Sequence, residues 1–505
     1  MKKIIYTLTA LVLFTPIFTY AQPGSLDSTF SGDGINNKVA GDGYAVAIQP
    51  DKKIIVAGSY NKDFLVVRYL QNGNIDKTFG TNGKTIVDIG RNDVAYCVAL
   101  QLDGKIIAAG TASKEFALLR LNTDGQPDSS FGVNGKVTTN FSQSDYIKDI
   151  AIQPDNKIIV IGFGEGEVSK LALARYNSDG TLDSSFGEYG EIAMHTTDLF
   201  DEGAALVLQP NGKIVAVESN LKEGTGSDFI LLRFTRNGKL DTSFGTNGIT
   251  STDFGNNEIP VAAGAQHNNK IIVAGYFDYG GTYDILLARY TKNGRLDSSF
   301  GTNGKVITSG DSGPIVGSCM AIQPDDKIVV AGILNDPFSD DKFYLVRYKP
   351  NGKIDSSFGD DGRVITNFGG HDIARSVALQ SNGKIIVAGS IDENFAVARF
   401  NGGDASVNIA GAETVSDLKT IPELTATAIK VYPNPLKSVI NIDFKTTDKT
   451  QKIISIYNVQ GPLLLTKRTA GNTQLNMKSL ANSNYFIKVY DENGKTLYSS
   501  ILIKQ

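Results

Sequence analysis

Arginine and aspartate recur along this chain at a fixed separation of eight residues, which is the spacing of a repeated ion pair. The pairs are Arg68–Asp76, Arg120–Asp128, Arg175–Asp183, Arg233–Asp241, Arg289–Asp297 and Arg347–Asp355. A planar guanidinium group can bind both oxygens of one carboxylate, so we expect bidentate pairs. Because a catalytic pair would not be expected in every repeat, the pattern indicates a structural role.

Arg399 and Asp27 belong to the same series but have no partner at this spacing. We predict that they pair with each other and so join the end of the repeat region to its start. Removing one partner of a buried ion pair costs about 3–5 kcal/mol. The predicted pair would therefore contribute strongly to the stability of the fold.

One segment combines several aromatic residues that could bind a ligand. Tyr276, Phe277, Tyr279 and Tyr283 flank a pair of glycines, and aromatic rings of this kind can stack on a sugar or a peptide. The alternative is that these rings pack against the rim of the fold.

A second segment is rich in aspartate. Asp336, Asp340 and Asp341 surround a Pro-Phe pair, and their oxygens suit a hard cation such as Ca²⁺. The alternative is a solvated acidic loop without a metal. Apart from this Ca²⁺ site, the sequence indicates no cofactor.

Motifs of known enzyme classes do not occur in the sequence. It contains no Gly-x-Ser-x-Gly, no His-Glu-x-x-His and no phosphate-binding loop. His195, His267 and His371 fall at unrelated positions of the repeat, which does not indicate a metal site. No catalytic residue is predicted. A hydrolase remains the alternative, because a central channel could bring distant carboxylates together.

These residues are carried by seven copies of a longer repeat. Each copy has an Asp-(Ser/Thr/Lys)-(Ser/Thr)-Phe segment, beginning at Asp27, Asp76, Asp128, Asp183, Asp241, Asp297 and Asp355. Asn-Gly and Asp-Gly turns divide a copy into four strands, which is the content of one β-propeller blade. The second strand is apolar on both faces, as sheets packed face to face require. A parallel β-helix would have shorter rungs than the 49–58 residues that separate the repeated phenylalanines.

The repeat region begins and ends in the middle of a unit. Residues 26–39 carry a fourth strand, and residues 373–400 carry the first three strands of the last unit. Pairing these two parts closes a ring and removes the free sheet edges. We therefore predict an all-β chain: a seven-bladed β-propeller over residues 22–403 with N/C-terminal strand closure, followed by a small Ig-like β-sandwich.

The turns of such a ring sort onto two faces. The connections between first and second and between third and fourth strands are nearly constant, whereas those on the opposite face vary in length and composition. Loops held by a rigid frame commonly carry function. The variable face is therefore the predicted binding surface.

Composition and the first residues bear on location and partners. The net charge of −4 and the lack of a long basic run argue against nucleic acid as a partner. Residues 1–21 have the pattern of a signal peptide, with Lys2-Lys3 before an apolar stretch. An uncleaved membrane anchor is the alternative, and Pro16 and the short apolar stretch argue against it. No later segment has the roughly twenty apolar residues that a transmembrane helix needs.

Cys97 and Cys319 are the two cysteines, and each lies four residues before the glutamine of its repeat. In a ring, the second and sixth units are well apart, and cysteines whose Cα atoms are more than about 7 Å apart cannot form a disulfide. We expect both to be small buried side chains without a bond between them.

The repeat stops after residue 403. Residues 404–428 have the composition of a linker, and residues 429–505 are predicted to form the second β domain. This domain contains Val431-Tyr432-Pro433-Asn434-Pro435, later Tyr485-Phe486-Ile487-Lys488-Val489, and finally Ile503-Lys504-Gln505. It resembles the C-terminal sorting domain of type IX secretion substrates. Asn482-Ser483-Asn484 departs from the family, which commonly has glycine before the late tyrosine.

The resemblance implies a Gram-negative bacterium of the Bacteroidota group, contact with the type IX machinery, and a secreted or outer-membrane surface location. The repeats resemble the delta-60 repeat, a bacterial β-propeller family, in segments such as Leu182-Asp183-Ser184-Ser185-Phe186-Gly187. That family implies a fold but no activity. The prediction is an exported binding or interaction module for an extracellular glycan or protein, the alternatives being an extracellular hydrolase and a structural surface-layer protein.

Overall fold

The protein is described here from a computed structural model. It covers residues 21–165, 169–194, 201–222, 226–255, 257–279, 281–310, 313–335, 340–403, 429–432, 437–444, 452–458, 463–477, 480, 484–490 and 496–504. Over these ranges the regular elements are β-strands only, and none of the residues belongs to a helix that could span a membrane. Residues 1–20 of the predicted signal peptide (residues 1–21) and the whole predicted linker (residues 404–428) lie outside the described residues.

The strands form seven four-stranded antiparallel sheets, which are the seven blades, and two further sheets near the C-terminus. The first three complete blades contain β2 (Asp42–Ile48), β3 (Ile54–Tyr60), β4 (Asp63–Tyr69) and β5 (Lys84–Val87); β6 (Val94–Leu100), β7 (Ile106–Ala112), β8 (Glu115–Leu121) and β9 (Lys136–Thr139); β10 (Ser144–Ile152), β11 (Ile158–Glu165), β12 (Lys170–Tyr176) and β13 (Glu191–Met194).

Blades 4 to 6 repeat the same order. They contain β14 (Asp201–Leu208), β15 (Ile214–Lys222), β16 (Gly226–Phe234) and β17 (Ile249–Thr252); β18 (Asn257–Ala265), β19 (Ile271–Tyr279), β20 (Thr282–Tyr290) and β21 (Lys305–Thr308); β22 (Ile315–Ile322), β23 (Ile328–Leu334), β24 (Lys342–Tyr348) and β25 (Arg363–Thr366).

Blade 7 is built from both ends of the repeat region. Its strands are β26 (Asp372–Leu379), β27 (Ile385–Ile391), β28 (Asn394–Phe400) and, from the start of the chain, β1 (Ile35–Ala40). β1 pairs antiparallel with β28, with Ile35 opposite Ala398 and Ala40 opposite Asn394. The predicted closure of a seven-bladed ring by the N-terminal strand is therefore correct.

The first strand of each blade is the innermost. β2 contacts β6 on one side and β26 on the other, and the remaining first strands contact one another in the same sequence, so that seven strands encircle the axis. The channel of a propeller runs along this axis. Each first strand begins on the variable face, because the connection from the preceding blade arrives there.

The blades pack face to face through apolar side chains. All seven residues of β7 are buried, and each hydrophobic cluster joins two neighbouring blades: one combines Ile55 and Phe64 of blade 1 with Ile106 and Leu119 of blade 2. Because the second strands are apolar throughout, each blade can pack against a neighbouring blade on both faces of its sheet. Cys97 and Cys319 are buried in these clusters and form no disulfide, as expected.

Two connections that the sequence presents as long loops are extended hairpins. β15 and β16 pair out to Lys222 and Gly226, and β19 and β20 pair out to Tyr279 and Thr282. Additional residues in these repeats therefore lengthen the strands, and the backbone hydrogen bonds continue beyond the body of the blade.

The C-terminal region forms two sheets that face each other. One contains β29 (Ile429–Tyr432), β30 (Val439–Phe444) and β33 (Thr473–Asn476); the other contains β31 (Lys452–Asn458), β32 (Leu463–Thr469), β34 (Asn484–Tyr490) and β35 (Thr496–Ile503). Ile440 and Leu475 of the first sheet share a core with Ile454, Ile487 and Leu502 of the second. This is a small β-sandwich, as predicted.

Candidate functional site: a channel mouth on a repeated frame

The frame is held by an ion pair that recurs in every blade. Arginine Nε lies 2.7–2.9 Å from aspartate Oδ2 in Arg68–Asp76, Arg120–Asp128, Arg175–Asp183, Arg233–Asp241, Arg289–Asp297, Arg347–Asp355 and Arg399–Asp27. These side chains are at most 11% exposed. The structure thus brings Arg399 and Asp27 together, although 372 residues separate them.

The expectation of bidentate pairs is wrong. In the closing pair, Oδ1 of Asp27 already accepts hydrogen bonds from the backbone N–H and the hydroxyl of Thr29, so Arg399 Nη2 donates to that hydroxyl at 2.9 Å instead. The same arrangement holds in the other six blades, with Nη2 2.9–3.3 Å from Thr78, Ser130, Ser185, Ser243, Ser299 and Ser357.

The remaining arginine nitrogen ties one blade to the next. Arg399 Nη1 of blade 7 donates to the carbonyl oxygen of Gln71 in blade 1 at 2.5 Å. The equivalent carbonyl acceptors for blades 1 to 6 are Thr123, Ser178, Arg236, Lys292, Pro350 and Gly402. Because each guanidinium binds its own blade and the neighbouring one, the closing contact is the same as the six internal contacts.

Two further groups complete this unit, which we call the clamp. A lysine from the start of the second strand lies 2.6–3.8 Å from the same aspartate oxygen: Lys53, Lys105, Lys157, Lys213, Lys270, Lys327 and Lys384. The arginine stacks at 4.5–4.8 Å on the ring of Phe79, Phe131, Phe186, Phe244, Phe300, Phe358 or Phe30. A cation held over an aromatic face gains further attraction.

The clamp keeps its aspartates ionised. Burial by itself raises the pKa of Asp27, but hydrogen bonds from Thr29 and Lys384 and the charge of Arg399 outweigh it and lower the pKa to about 2. The pKa of Asp76 is lowered to about 2 in the same way, against burial, by Thr78, Lys53 and Arg68. Opposite charges and donors favour the charged form of a carboxyl group.

The inner strands carry a second repeated feature with the opposite character. Each has a β-bulge, seen as a register shift between Gly43 and Ala45, Ala95 and Cys97, Ile147 and Asp149, Glu202 and Ala205, Pro260 and Ala262, Gly317 and Cys319, and Ala374 and Ser376. Bulges re-aim a side chain and are frequent next to functional sites. The residue at the bulge lies five positions before the repeat glutamine, and its identity varies from blade to blade.

Four consecutive blades place cationic or aromatic residues at the bulge. The guanidinium of Arg375 in blade 7 lies 4.6 Å from the ring centre of Tyr44 in blade 1. Tyr44 meets Tyr96 of blade 2 edge to face at 5.2 Å, and the ammonium of Lys148 in blade 3 lies 5.0 Å from the ring of Tyr96. We call this series the channel arc. All four side chains retain solvent exposure.

The other side of the channel differs in chemistry. Val261 of blade 5 and Ser318 of blade 6 occupy the bulge position there, and both are small and uncharged. The ring is therefore symmetric in its backbone but not in its lining. The two fixed cations and two phenols are gathered on one side of the channel.

The polar groups around the channel arc set its charge. Arg375 donates to the hydroxyl of Ser390 and lies 3.5 Å from Asp42, so part of its charge is balanced. Burial raises the pKa of the phenols of Tyr44 and Tyr96, so both are neutral hydrogen-bond donors at physiological pH. An anionic group can therefore meet cations and hydroxyl donors at one place.

Asp149 lies directly after the bulge at Lys148. Its carboxylate accepts hydrogen bonds from the backbone N–H groups of Ile150, at 2.7 Å, and of Leu206 in the next blade, at 2.8 Å. Burial raises its pKa to about 6. Blades 2 and 6 have Cys97 and Cys319 at the same position, so blade 3 alone of these three places a titratable carboxyl group there.

The predicted aromatic residues divide between two environments. Tyr276 and Tyr283 lie 6.0 Å apart, edge to face, on one side of the β19–β20 hairpin. Phe277, the next residue along β19, packs against the core between blades 4 and 5, because neighbouring side chains of a strand point to opposite faces. Tyr279 ends β19. The four rings are therefore not a single platform, and a role in ligand binding stays a prediction.

The predicted acidic segment lies beside blade 7. Asp336 is outside the described residues. Burial is the main cause that raises the pKa of Asp372 to about 6, and the charges of Asp392, Asp340 and Asp341 add to it. His371 Nδ1 lies 3.6 Å from Asp341 Oδ2. A metal at Asp336, Asp340 and Asp341 stays a prediction.

The predicted sorting residues fall in the C-terminal sandwich. Tyr432 is partly exposed and its hydroxyl donates to Asp443 at 2.7 Å. Tyr485 belongs to the core, and the ammonium of Lys504 donates to the carbonyl oxygen of Leu480. Pro433, Asn434 and Pro435 lie outside the described residues.

The bulge position and the clamp lysine were not found by sequence reasoning, although signals for both exist. The clamp lysine follows the repeat glutamine by four residues in all seven copies. Alignment of the copies on that glutamine would have gathered Arg375, Tyr44, Tyr96 and Lys148 into one column.

Family models match both parts of the chain. The repeats match a β-propeller domain of unknown function, DUF5122, at residues 49–79, 101–131, 153–186, 209–244, 266–300, 323–358 and 380–405. Residues 430–504 match the secretion system C-terminal sorting domain. The chain is a DUF5122 β-propeller with a C-terminal sorting domain. The sorting domain indicates secretion or export to the cell surface.

Solved structures give only a general likeness to this DUF5122 propeller. A fungal alcohol oxidase of the AA5 family in complex with copper is 13% identical, with a TM-score of 0.44 over 93% of this chain and 98% of the other. The β-propeller domain of Nup133 from Vanderwaltozyma polyspora is 9% identical, with a TM-score of 0.39 over 72% and 97%. Polysaccharide lyase Uly1 is 9% identical, with a TM-score of 0.36 over 86% and 93%. Similarity at this level carries no argument about function. No curated protein matches the chain significantly.

Proposed function

We propose that this protein is exported by type IX secretion machinery in a bacterium of the Bacteroidota type and binds an acidic polysaccharide at the mouth of its channel. The single observation that carries the proposal is the channel arc, in which Arg375, Tyr44, Tyr96 and Lys148 lie on the inner strands of four of the seven blades. The sorting domain accounts for export.

The chemistry of the arc suits a polymer of acidic sugars. Guanidinium and ammonium groups bind carboxylate or sulfate, and phenol rings offer flat faces and hydroxyl donors to a pyranose ring. Because the arc extends over four blades, consecutive acidic residues of one polymer can meet Arg375 and Lys148 at the same time.

The distribution of residues supports binding over hydrolysis. A hydrolase of the two-carboxylate type needs a pair of carboxyl groups flanking the scissile bond. In six of the blades the bulge residues are Tyr44, Tyr96, Lys148, Val261, Ser318 and Arg375, and none of these is a carboxylate. Their variation on a constant frame is the pattern expected of a specificity-determining surface.

The test is a binding screen of the full-length protein against carboxylated, sulfated and neutral polysaccharides and against acidic peptides. Retention on acidic polysaccharides, weakened by salt because the contacts are charged, is the expected result. Arg375→Ala and Lys148→Ala should each weaken binding about tenfold or more, since a hydrogen bond to a charged group contributes about 1.5–3 kcal/mol.

Ser318→Ala and Val261→Ala are the matched controls, because they change the same bulge position on the opposite side of the channel. Equal losses in all four variants would contradict the assignment of the ligand to the channel arc. Binding to acidic peptides alone, or turnover of a polysaccharide without retention, would overturn the proposed function.

A further inference from the structure

Three aspartates meet at the seam between blades 1 and 2, away from the channel arc and from the predicted acidic segment. Asp63 begins β4, Asp88 follows β5, and Asp93 immediately precedes β6. One carboxylate oxygen from each lies within 4.8 Å of the others. Asp63 lies at the β3–β4 hairpin, whereas Asp88 and Asp93 lie at the two ends of the connection between β5 and β6. The fold itself therefore brings two segments of the variable face together.

Asp93 provides the observation that separates this group from an ordinary acidic patch. Its side chain is fully buried, and Oδ2 accepts the backbone N–H groups of Ile89 and Gly90 at 2.7 and 2.9 Å. Oδ1 is buried as well but has no hydrogen-bond partner. A buried acceptor without a donor is destabilising unless a ligand satisfies it.

The next seam supplies an internal comparison. Asp145 is the counterpart of Asp93: its backbone N–H bonds to the carbonyl of Lys114, as that of Asp93 bonds to Lys62. There, Ser142 donates its hydroxyl to Asp145 Oδ1 at 2.6 Å, and Asn140 stands where blade 1 has Asp88. The seam with a hydroxyl donor thus lacks the third carboxylate, and the seam with three carboxylates has Gly90 in place of the serine.

The negative charge of the three carboxylates favours binding of a divalent cation. Three carboxylates lie together, and the ammonium of Lys136 donates to the backbone oxygen of Asp88 at 2.5 Å. Burial, together with the charges of Asp88 and Asp63, raises the pKa of Asp93. A bound cation would reverse that repulsion and give Oδ1 a partner.

We propose that Asp63, Asp88 and Asp93 form a Ca²⁺ site at the seam between blades 1 and 2. Ca²⁺ binds oxygen at about 2.3–2.6 Å, so two ligands on opposite sides of the ion lie about 5 Å apart. Mg²⁺ requires about 2.0–2.1 Å and strict octahedral geometry, whereas Ca²⁺ accepts irregular sets of carboxylate oxygens such as this one. The ion would fix the fourth-to-first connection of blade 1 to the β3–β4 hairpin on the variable face.

Blades 4 and 5 have acidic residues at the same three positions, Asp228, Asp253 and Glu258, also within 4.8 Å. In that group Ser251 donates its hydroxyl to Asp228 at 2.6 Å. The proposal is therefore confined to the first seam, and its test needs a local readout.

The experiment is hydrogen exchange of the full-length protein, followed by mass spectrometry, with Ca²⁺, with Mg²⁺ and with neither. Extracellular Ca²⁺ sites have dissociation constants of about 0.1–1 mM, so 10 mM CaCl₂ should slow exchange of the peptide that contains residues 88–94 about tenfold or more. The Asp63→Asn/Asp88→Asn double variant should lose this protection, and Asp145→Asn should keep it.

A circular dichroism melt in the presence of chelator verifies that each variant is folded, and a calcium titration by calorimetry provides a second measurement. Protection that persists in the double variant, or no effect of Ca²⁺ on the wild-type peptide, would overturn the site. Equal protection by Mg²⁺ would overturn its assignment to Ca²⁺.

Discussion

The clamp and the channel arc occupy the same seven blades but follow opposite rules. The clamp repeats an arginine, an aspartate, a lysine and a phenylalanine in every blade, and the arginine keeps nearly the same distances to its aspartate and its phenylalanine. The arc occupies a backbone position that is equally repeated, yet its side chains change from Arg375 to Ser318 around the ring. A repeat that serves the frame keeps its side chains, whereas a repeat that serves recognition keeps only its backbone.

Arg375 and Arg399 show this contrast within one blade. Both guanidinium groups lie over an aromatic ring, Tyr44 and Phe30 respectively. Arg399 is buried and bonded to its aspartate, to Thr29 and to the neighbouring blade, while Arg375 is partly exposed at the channel. The following predictions use this difference, beginning with the change that affects the most residues.

Acid should destabilise the propeller because it protonates the aspartates of all clamps over the same range of pH. The folded-state pKa values of the clamp aspartates are lowered from the ordinary value of 3.8, to about 2 for Asp27 and Asp76. Stability from a lowered pKa is present above the unfolded value and is lost as the pH falls through the folded one. Urea midpoints followed by circular dichroism should therefore fall steeply between about pH 4 and pH 2. A flat profile in this range would contradict the ion-pair account of the frame.

Asp27→Ala should lower the free energy of unfolding by about 3–5 kcal/mol, because it leaves Arg399 buried without its carboxylate. Asp76→Ala, which breaks the equivalent clamp inside blade 1, is the matched variant and should fall in the same range. The measurement is chemical denaturation at neutral pH. If Asp27→Ala melts like wild type while Asp76→Ala does not, closure of the ring does not depend on the clamp.

Asp149 should give stability a second, opposite dependence on pH. Its folded-state pKa is raised to about 6 by burial, so its contribution is present below about pH 4 and is lost as the pH rises through 6. The expected loss is at most about 3 kcal/mol for a shift of two units. Asp149→Asn should remove this part of the slope between pH 4 and 6, whereas Asp372, with a pKa also of about 6, would continue to titrate.

Arg375→Ala should change the free energy of unfolding by about 1 kcal/mol or less, since partly exposed ion pairs contribute about 0–1 kcal/mol. Arg399→Ala, in the same blade, should lower it by about 3–5 kcal/mol. Thermal melts of the two variants compare the contribution to stability of a channel-arc arginine with that of a clamp arginine. A large loss for Arg375→Ala would show that the arc is part of the frame.

Repetition explains why so much of the fold could be predicted from the sequence. The eight-residue spacing and the half units at residues 26–39 and 373–400 were enough to predict the closing pair and the shared seventh sheet. The failure of the bidentate expectation could not be foreseen, because it depends on Thr29, whose hydroxyl donates to Oδ1 of Asp27.

The candidate site was harder to predict because it depends on register. A bulge shifts one residue of each inner strand out of the alternation that strand patterns rely on, so Tyr44 and Lys148 carry no signal within a single repeat. The tyrosines of β19 and β20 gave a strong compositional signal, yet Phe277 packs inward because strand pairing continues through the presumed loop.

The shared seventh sheet also determines where the exported protein can be cut without damage. Both strands that lock the ring, β1 and β28, are complete by Phe400, and Asn401 already bonds to Ser25 and Gly24 across the seam. Proteolytic removal of the sorting domain anywhere in residues 404–428 would therefore sever no blade strand. The released body would keep both closing strands, with Gly403 still next to Pro23.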